Sequence, residues 1–308
     1  MLCIFNPEHD HCLANGNRHF VPPASALRFA REGATLMRVV YPEAETADVA
    51  QCGRVYAELT ANGDSPALVP WGWNLVLKTQ LLKAGIPEAL MPADNRLALW
   101  RQLQHRATLL PLQPESRAVT LRAEVEAMLS QHGAVVLKAP WSGSGRGLRW
   151  IGRQMTAHDI LWMNKVVKEQ QCVVAEPWRK VADDFALEYR VQRGCLFFEG
   201  YSLFRSAKGV YRANILLDDG EIADRVGVSA VLRRELEDWL NSHVVPHYEG
   251  PLGVDCLRDT EGRLFVSELN LRHTMGLVAH AYLRHHPEAE GRQLELKGGD
   301  MVVSATSD

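Results

Sequence analysis

The chain has 308 residues, 46% of them hydrophobic, and a formal net charge of −3. That length supports a sizeable core, and the near-balanced charge gives no reason to expect a nucleic-acid or acidic-membrane partner. The six cysteines, at 3, 12, 52, 172, 195 and 256, form no CxxC pair and no zinc-knuckle spacing, so free thiols in a reducing compartment are expected.

The opening residues, MLCIFNPEHD, show no basic n-region and no long apolar h-region. No apolar run approaches the ~18 residues that span a bilayer. A cytoplasmic protein without a membrane partner is expected. Residues 1–5 predict a short buried strand, stopped at Asn6-Pro7. SALRFAREG has helical spacing with a stop at Gly33, and the apolar run Thr35 to Tyr41 predicts a second strand. This β-α-β pattern predicts a Rossmann-like parallel-sheet domain over 1–93. Within it, 68–85 gives a strand end, a loop and a helix from about Asn74.

Residues 94–106 predict an amphipathic helix with Asp94 as its N-cap. Further helices are predicted over 121–133 and 156–170, with strands at 135–138 and 172–176. From 185 the apolar period moves toward two, which predicts an antiparallel sheet crossed by a helix at about 229–242. The polar stretch after His286 is expected to be loosely held.

Chemistry concentrates in three stretches. In VVLKAPWSGSGRGLRW, Lys138 ends an apolar strand, and Ser142, Gly143, Ser144, Gly145 and Gly147 follow. Walker A is excluded because the lysine precedes the glycines, and G-x-G-x-x-G because position 148 is Leu. What remains is a backbone loop able to approach an anion closely, beside a lysine point charge, which suits a polyphosphate.

In PLGVDCLRDTEGRLFVSELNLRH, a hairpin is predicted about Thr260-Glu261-Gly262. Glu268 and Asn270 share one strand face. A two-residue loop would pair Asp255 with Val266 and bring it to that face, whereas one extra residue would turn it away. These hard oxygen donors suit Mg²⁺, and Arg272 would face the same way to hold a phosphoryl oxygen. A third stretch carries Glu176 before Pro177, then Trp178, Asp184 and Glu188. An acid at such a boundary can accept from an adenine amino group or a ribose hydroxyl.

The order Lys138, Ser142 to Gly147, Glu176-Pro177-Trp178, Asp184, Asp255, then Glu268-x-Asn270-x-Arg272 resembles the ATP-grasp superfamily of carboxylate–amine and carboxylate–thiol ligases, over about residues 94–290. The resemblance implies a pre-ATP-grasp α/β domain over 1–93 and a two-lobed α+β fold, 94–176 and 177–308, with ATP between the lobes. It implies that Lys138 and the loop through Ser142, Gly143, Ser144, Gly145 and Gly147 hold phosphates. Glu176 and the backbone at Trp178 would take adenine, and Asp184 the ribose. Asp255, Glu268 and Asn270 would hold Mg²⁺, and Arg272 would act on the γ-phosphoryl group. The implied partners are small-molecule carboxylate and amine substrates, with a homodimer common among such ligases.

One departure stands out: the family's second, early ATP lysine is missing, and only Arg96, Arg101 and Arg106 lie nearby. An ATP-binding module with a degenerate site therefore stays open as an alternative, and a metal-dependent hydrolase as a more distant one. His9, Asp10 and His11 lie on a loop where they would meet an acceptor substrate or merely cap a turn. Lys208-Gly209 is a candidate flap or a plain turn, and Arg190 and Arg205 are candidates for anionic substrate groups.

Overall fold

A computed structural model describes residues 1–142, 147–207 and 209–306. The chain is a mixed α/β protein, and its described residues form three sheets. The first holds β1 (Leu2–Ile4), β2 (Glu45–Ala47) and β3 (Leu68–Pro70), all parallel, in the order β2-β1-β3. Its helices are α1 (His9–Asn15), α2 (Ala24–Glu32), α3 (Cys52–Ala61) and α4 (Leu75–Lys83). Leu77 and Leu81 of α4 pack on Leu2 and Ile4 across one sheet face, while Cys3 and Phe5 pack with Met37 and Trp71 on the other. Asn74 caps α4, accepting from the Leu77 N–H at 2.9 Å.

The run at 35–41 is not a strand. Residues Ala34–Val39 form a 3₁₀ helix, and the neighbouring strand is β2, farther along. The run follows α2 after one glycine, and a turn of three residues buries both Leu36 and Met37 on one side. Strand alternation would have sent that adjacent pair to opposite faces.

The second sheet holds β4 (Arg117–Val119), β5 (Val135–Lys138), β6 (Leu148–Ile151) and β7 (Val173–Pro177), antiparallel in the order β4-β7-β5-β6. It is preceded by α5 (Asp94–Leu103) and packed by α6 (Arg122–His132) and α7 (Ala157–Gln170). Asp94 is not the N-cap of α5 but its first helical residue, after Ala93. Its carboxylate is committed to Lys78 at 2.8 Å and to Arg18. These ion pairs hold the side chain away from the helix N–H groups. The helix stops at Leu103, and a second 3₁₀ segment, Arg106–Leu112, follows.

The third sheet is seven-stranded and antiparallel: β8 (Val181–Gln192), β9 (Cys195–Ala207), β10 (Val210–Ile215), β11 (Gly250–Asp259), β12 (Leu264–Asn270), β13 (Arg292–Lys297) and β14 (Asp300–Ala305), in the order β12-β11-β8-β9-β10-β13-β14. The residues after His286 are thus not loosely held. They form β13 and β14, and Leu294 is buried in the core. One face of this sheet packs α8 (Asp219–Val226) and α9 (Ala230–His243) around Tyr189, Leu203 and Leu240. Near the other face runs α10 (Met275–His285). Its Val278 joins the core beneath the first sheet, and Ala279 packs with Leu216 and Leu294. No helix among the described residues is long and apolar enough to cross a membrane.

Candidate active site

A cleft of about 1060 Å³ opens between the second sheet and the face of the third sheet opposite α8 and α9. Its floor follows from strand alternation. On β8, Asp184, Ala186 and Glu188 all face the cleft, two residues apart. On β11 and β12 the floor carries Asp255, Glu268 and Asn270, and Arg272 follows just after β12. The roof carries Lys138 from β5, Glu176 from β7 and Arg106 from the 3₁₀ segment.

The hairpin reaches its geometry by an unexpected route. Pairing runs Arg258↔Leu264, Leu257↔Phe265 and Cys256↔Val266, one residue out from the register of a two-residue loop. That offset alone would turn Asp255 to the opposite face. A bulge between Asp255 and Cys256 then leaves Ser267 unpaired, and Asp255 pairs directly with Glu268. The loop moves Asp255 off the shared face and the bulge returns it. Burial, followed by the charges of Glu268 and Glu188, pushes the Asp255 carboxyl up to about 8, against a hydrogen bond from the Asn270 side chain.

Each roof cation is engaged by an acid. Lys138 Nζ lies 2.7 Å from Glu176 Oε2 and donates to Ser267 Oγ at 3.1 Å. Glu176 is 8% exposed, and its Oε1 accepts no hydrogen bond among the described residues. Arg106 is 6% exposed and reaches Glu268 Oε2 at 2.7 Å through Nη2. Of the three nearby arginines, only Arg106 lines the cleft. Arg96 lies over the Trp100 ring, and Arg101 stacks on Trp141 and donates to the Leu13 carbonyl.

Gly143, Ser144 and Gly145 lie outside the described residues, which include Ser142 and Gly147 on either side. The Ala139 N–H donates to the Gly147 carbonyl at 2.8 Å, and Ser142 lines the cleft. A Cβ on Gly147 would meet Ser142 Cβ at 2.3 Å, so the loop neck admits only glycine there. Trp178 stands half-exposed at the cleft margin. Asp184 accepts from Ser206 Oγ at 2.5 Å, and burial raises its pKa.

Arg272 is gripped from the first sheet's side. Its Nε and Nη2 donate to the two oxygens of Asp10, each at 3.0 Å, and Nη1 donates to the His273 carbonyl. Burial works against the guanidinium charge, but Asp10, together with Asp255 and Glu268, more than offsets it and holds Arg272 above its ordinary pKa. Asp10 therefore lines the cleft as the partner of Arg272. His9 does not meet the cleft. It is buried beneath Gly72, where a Cβ would lie 2.6 Å from its ring. Asn74 gives its oxygen to the Leu77 N–H, so its amide nitrogen faces His9 Nδ1 at 3.1 Å. Burial lowers the His9 pKa to about 4, which keeps the ring neutral.

Other candidates resolve differently. Arg190 does not line the cleft: it pairs with Glu199 at 2.8 Å and reaches the Tyr41 hydroxyl. Arg205 does not line it either, whereas His11 does. Lys208 lies outside the described residues. Gly209 beside it approaches Leu148 of β6 across the cleft, its Cβ position 2.5 Å from Leu148 Cδ1. Glu188, to which the resemblance assigns no role, completes the floor. It is fully buried, accepts from Ser202 Oγ at 3.0 Å and Thr274 Oγ1 at 2.8 Å, and is pushed up to about 7 by burial. The signal for it in the sequence was its spacing of four from Asp184 on one strand.

Neither a protein-family model nor a curated protein sequence matches the chain. Solved structures do. Biotin carboxylase of Campylobacter jejuni, in a β-γ-ATP complex, superposes with a TM-score of 0.53 at 11% identity, over 92% of this chain and 70% of that one. The biotin carboxylase domain of the 2-oxoglutarate carboxylase of Hydrogenobacter thermophilus, solved with MgADP, ADP and bicarbonate, gives 0.52 at 12% identity, over 92% and 68%. Pyruvate carboxylase of Rhizobium etli gives 0.50 at 20% identity over 73% of this chain, which spans only 20% of that much longer protein. The chain has the ATP-grasp fold.

Proposed function

We propose that the cleft is the active site of an ATP-dependent ligase that activates a small-molecule carboxylate by γ-phosphoryl transfer and joins it to an amine, or a thiol, nucleophile. The observation that carries this is one of convergence. Lys138, Glu176, Asp184, Asp255, Glu268, Asn270 and Arg272 come from five strands of two sheets and the segment after β12, yet all line one cleft.

In this reading the first sheet with its helices is the pre-ATP-grasp domain, 1–93, followed by lobes at 94–176 and 177–308 with ATP between them. Lys138 and the loop closed by Gly147 bind the phosphates. Glu176 offers its unpartnered Oε1 to the adenine amino group, and Asp184 accepts from the ribose. The floor fits a divalent cation by its donors: paired carboxylates at 255 and 268, one with its pKa raised to about 8 by burial and then by its neighbours' charge, and the amide of Asn270. Mg²⁺ held there would neutralise charge on the transferring phosphoryl group. Arg272, clamped by Asp10, faces that group with a fixed fork, which suits a reaction driven by positioning and charge.

Thermal shift with MgATP, followed by ADP release against panels of carboxylates and amines, tests the reading. A shift lost in both Lys138→Ala and Glu268→Ala, with ADP formed only when both substrates are present, is the expected result. A shift without ADP release from any pair would instead make the chain a non-catalytic ATP-binding module.

A further inference from the structure

Arg106 is tied to both walls of the cleft at once. Nη1 donates to the Ala139 carbonyl and, at 2.8 Å, to Ser142 Oγ, both beyond the end of β5. Nη2 crosses to Glu268 Oε2 on β12, 2.7 Å away, and lies only at 3.5 Å from the Ser142 carbonyl on the roof. The neighbouring roof cation does likewise, since Lys138 donates to Ser267, the residue before Glu268. One edge of the guanidinium is thus fixed to the roof, and the other is spent on a floor carboxylate that directly opposes Asp255.

Resting on the reading of this cleft as a metal–nucleotide site, we propose that the Arg106–Glu268 pair couples the two ligands, each being held back by the partner that the other removes. A divalent cation arriving alone meets a positive guanidinium already on Glu268. A nucleotide arriving alone meets an arginine whose free edge a carboxylate already neutralises. When both arrive, the cation takes Glu268 and the phosphates take the Nη2 edge. Arg106 need not move, because Nη1 stays anchored to Ala139 and Ser142. Arginine suits this role where lysine would not: its planar fork keeps one edge on the roof while the other changes partner.

The consequence has opposite signs in two binding measurements without turnover. ADP titrated calorimetrically in EDTA should bind Glu268→Gln about fivefold or more tightly than wild type, within the usual range of coupling between sites. Mn²⁺ alone, followed by the electron paramagnetic resonance of the free ion, should bind Arg106→Ala more tightly by a similar factor, although Arg106 is no metal ligand. Arg106→Lys, which keeps the charge, should stay close to wild type toward Mn²⁺. Circular dichroism of each variant confirms folding, and if Arg106→Ala does not fold, the Glu268→Gln arm decides alone. A flat or weakened response in either arm of a folded variant overturns the coupling, while ADP–Mn²⁺ binding by wild type leaves the nucleotide reading standing. If wild type binds ADP neither with nor without Mn²⁺, that reading fails and the coupling fails with it.

Discussion

The two walls of the cleft are built to opposite electrostatic rules. The floor crowds Asp184, Glu188 and Asp255 onto one sheet face, and burial raises the pKa of all three. The roof presents Lys138 and Arg106, each within 2.7 Å of an acid. A buried carboxylate without a cation costs stability, and here part of the compensating charge lies across the gap: Lys138 acts on Asp184 and Arg106 pairs with Glu268, while Arg272 acts on Glu188 and Asp255 from the floor's own side. The walls are therefore incomplete without one another, and charge that enters the cleft should be felt by both.

Removing the roof cation should do most damage. Lys138→Ala leaves Glu176 buried without its partner, and we expect a loss of about 3 kcal/mol in urea unfolding, together with loss of the MgATP thermal shift. Retention of the full shift would dissociate Lys138 from the nucleotide. Next in size is Asp10→Asn, which breaks the two-point grip on Arg272. Turnover should fall about tenfold, as for the loss of one charged hydrogen bond, while MgATP still shifts the melting temperature. Gly147→Ala inserts a methyl group 2.3 Å from Ser142 Cβ. It should cost about 1–3 kcal/mol and weaken MgATP binding, both readable in one thermal-shift titration.

The floor can be tested by pH. The Glu188 carboxyl is raised from 4.5 to about 7, so the folded state holds a proton that the unfolded state has released. This group's contribution to stability is present below pH about 4.5 and is lost as pH rises through about 7. Glu188→Gln should flatten that decline in a series of denaturant melts, and an unchanged slope would show that Glu188 does not titrate there. The smallest effect is expected outside both walls. Arg96→Ala, at the Trp100 ring, should stay within about 0.5 kcal/mol of wild type and leave the MgATP shift intact.

Local chemistry was legible wherever one residue's neighbours decide it. Asn74 caps its helix because its own oxygen reaches the Leu77 N–H. Asp94 has the same chemistry and fails to cap, because Lys78 and Arg18, distant in sequence, claim its carboxylate. The adjacent pair Leu36 and Met37 shows the same limit. Their apolarity predicts burial, but only the core under Phe5 and Trp71 determines that a 3₁₀ turn rather than a strand delivers both. The polar stretch after His286 becomes β13 and β14 because the edge of β10 needed pairing, a demand made by a strand far upstream.

By itself the sequence determined the alternation that puts Glu268 and Asn270 on one face, the glycines beside Lys138, and the order of acids and bases along the chain. Side-chain period and backbone freedom are properties of a few consecutive residues. Tertiary structure alone decided that a bulge brings Asp255 opposite Glu268, that Arg106 rather than Arg96 or Arg101 reaches the cleft, and that Asp10 clamps Arg272 across 262 positions. Register, burial and ion pairing depend on which distant segments share a volume, and no spacing along the chain encodes that distance.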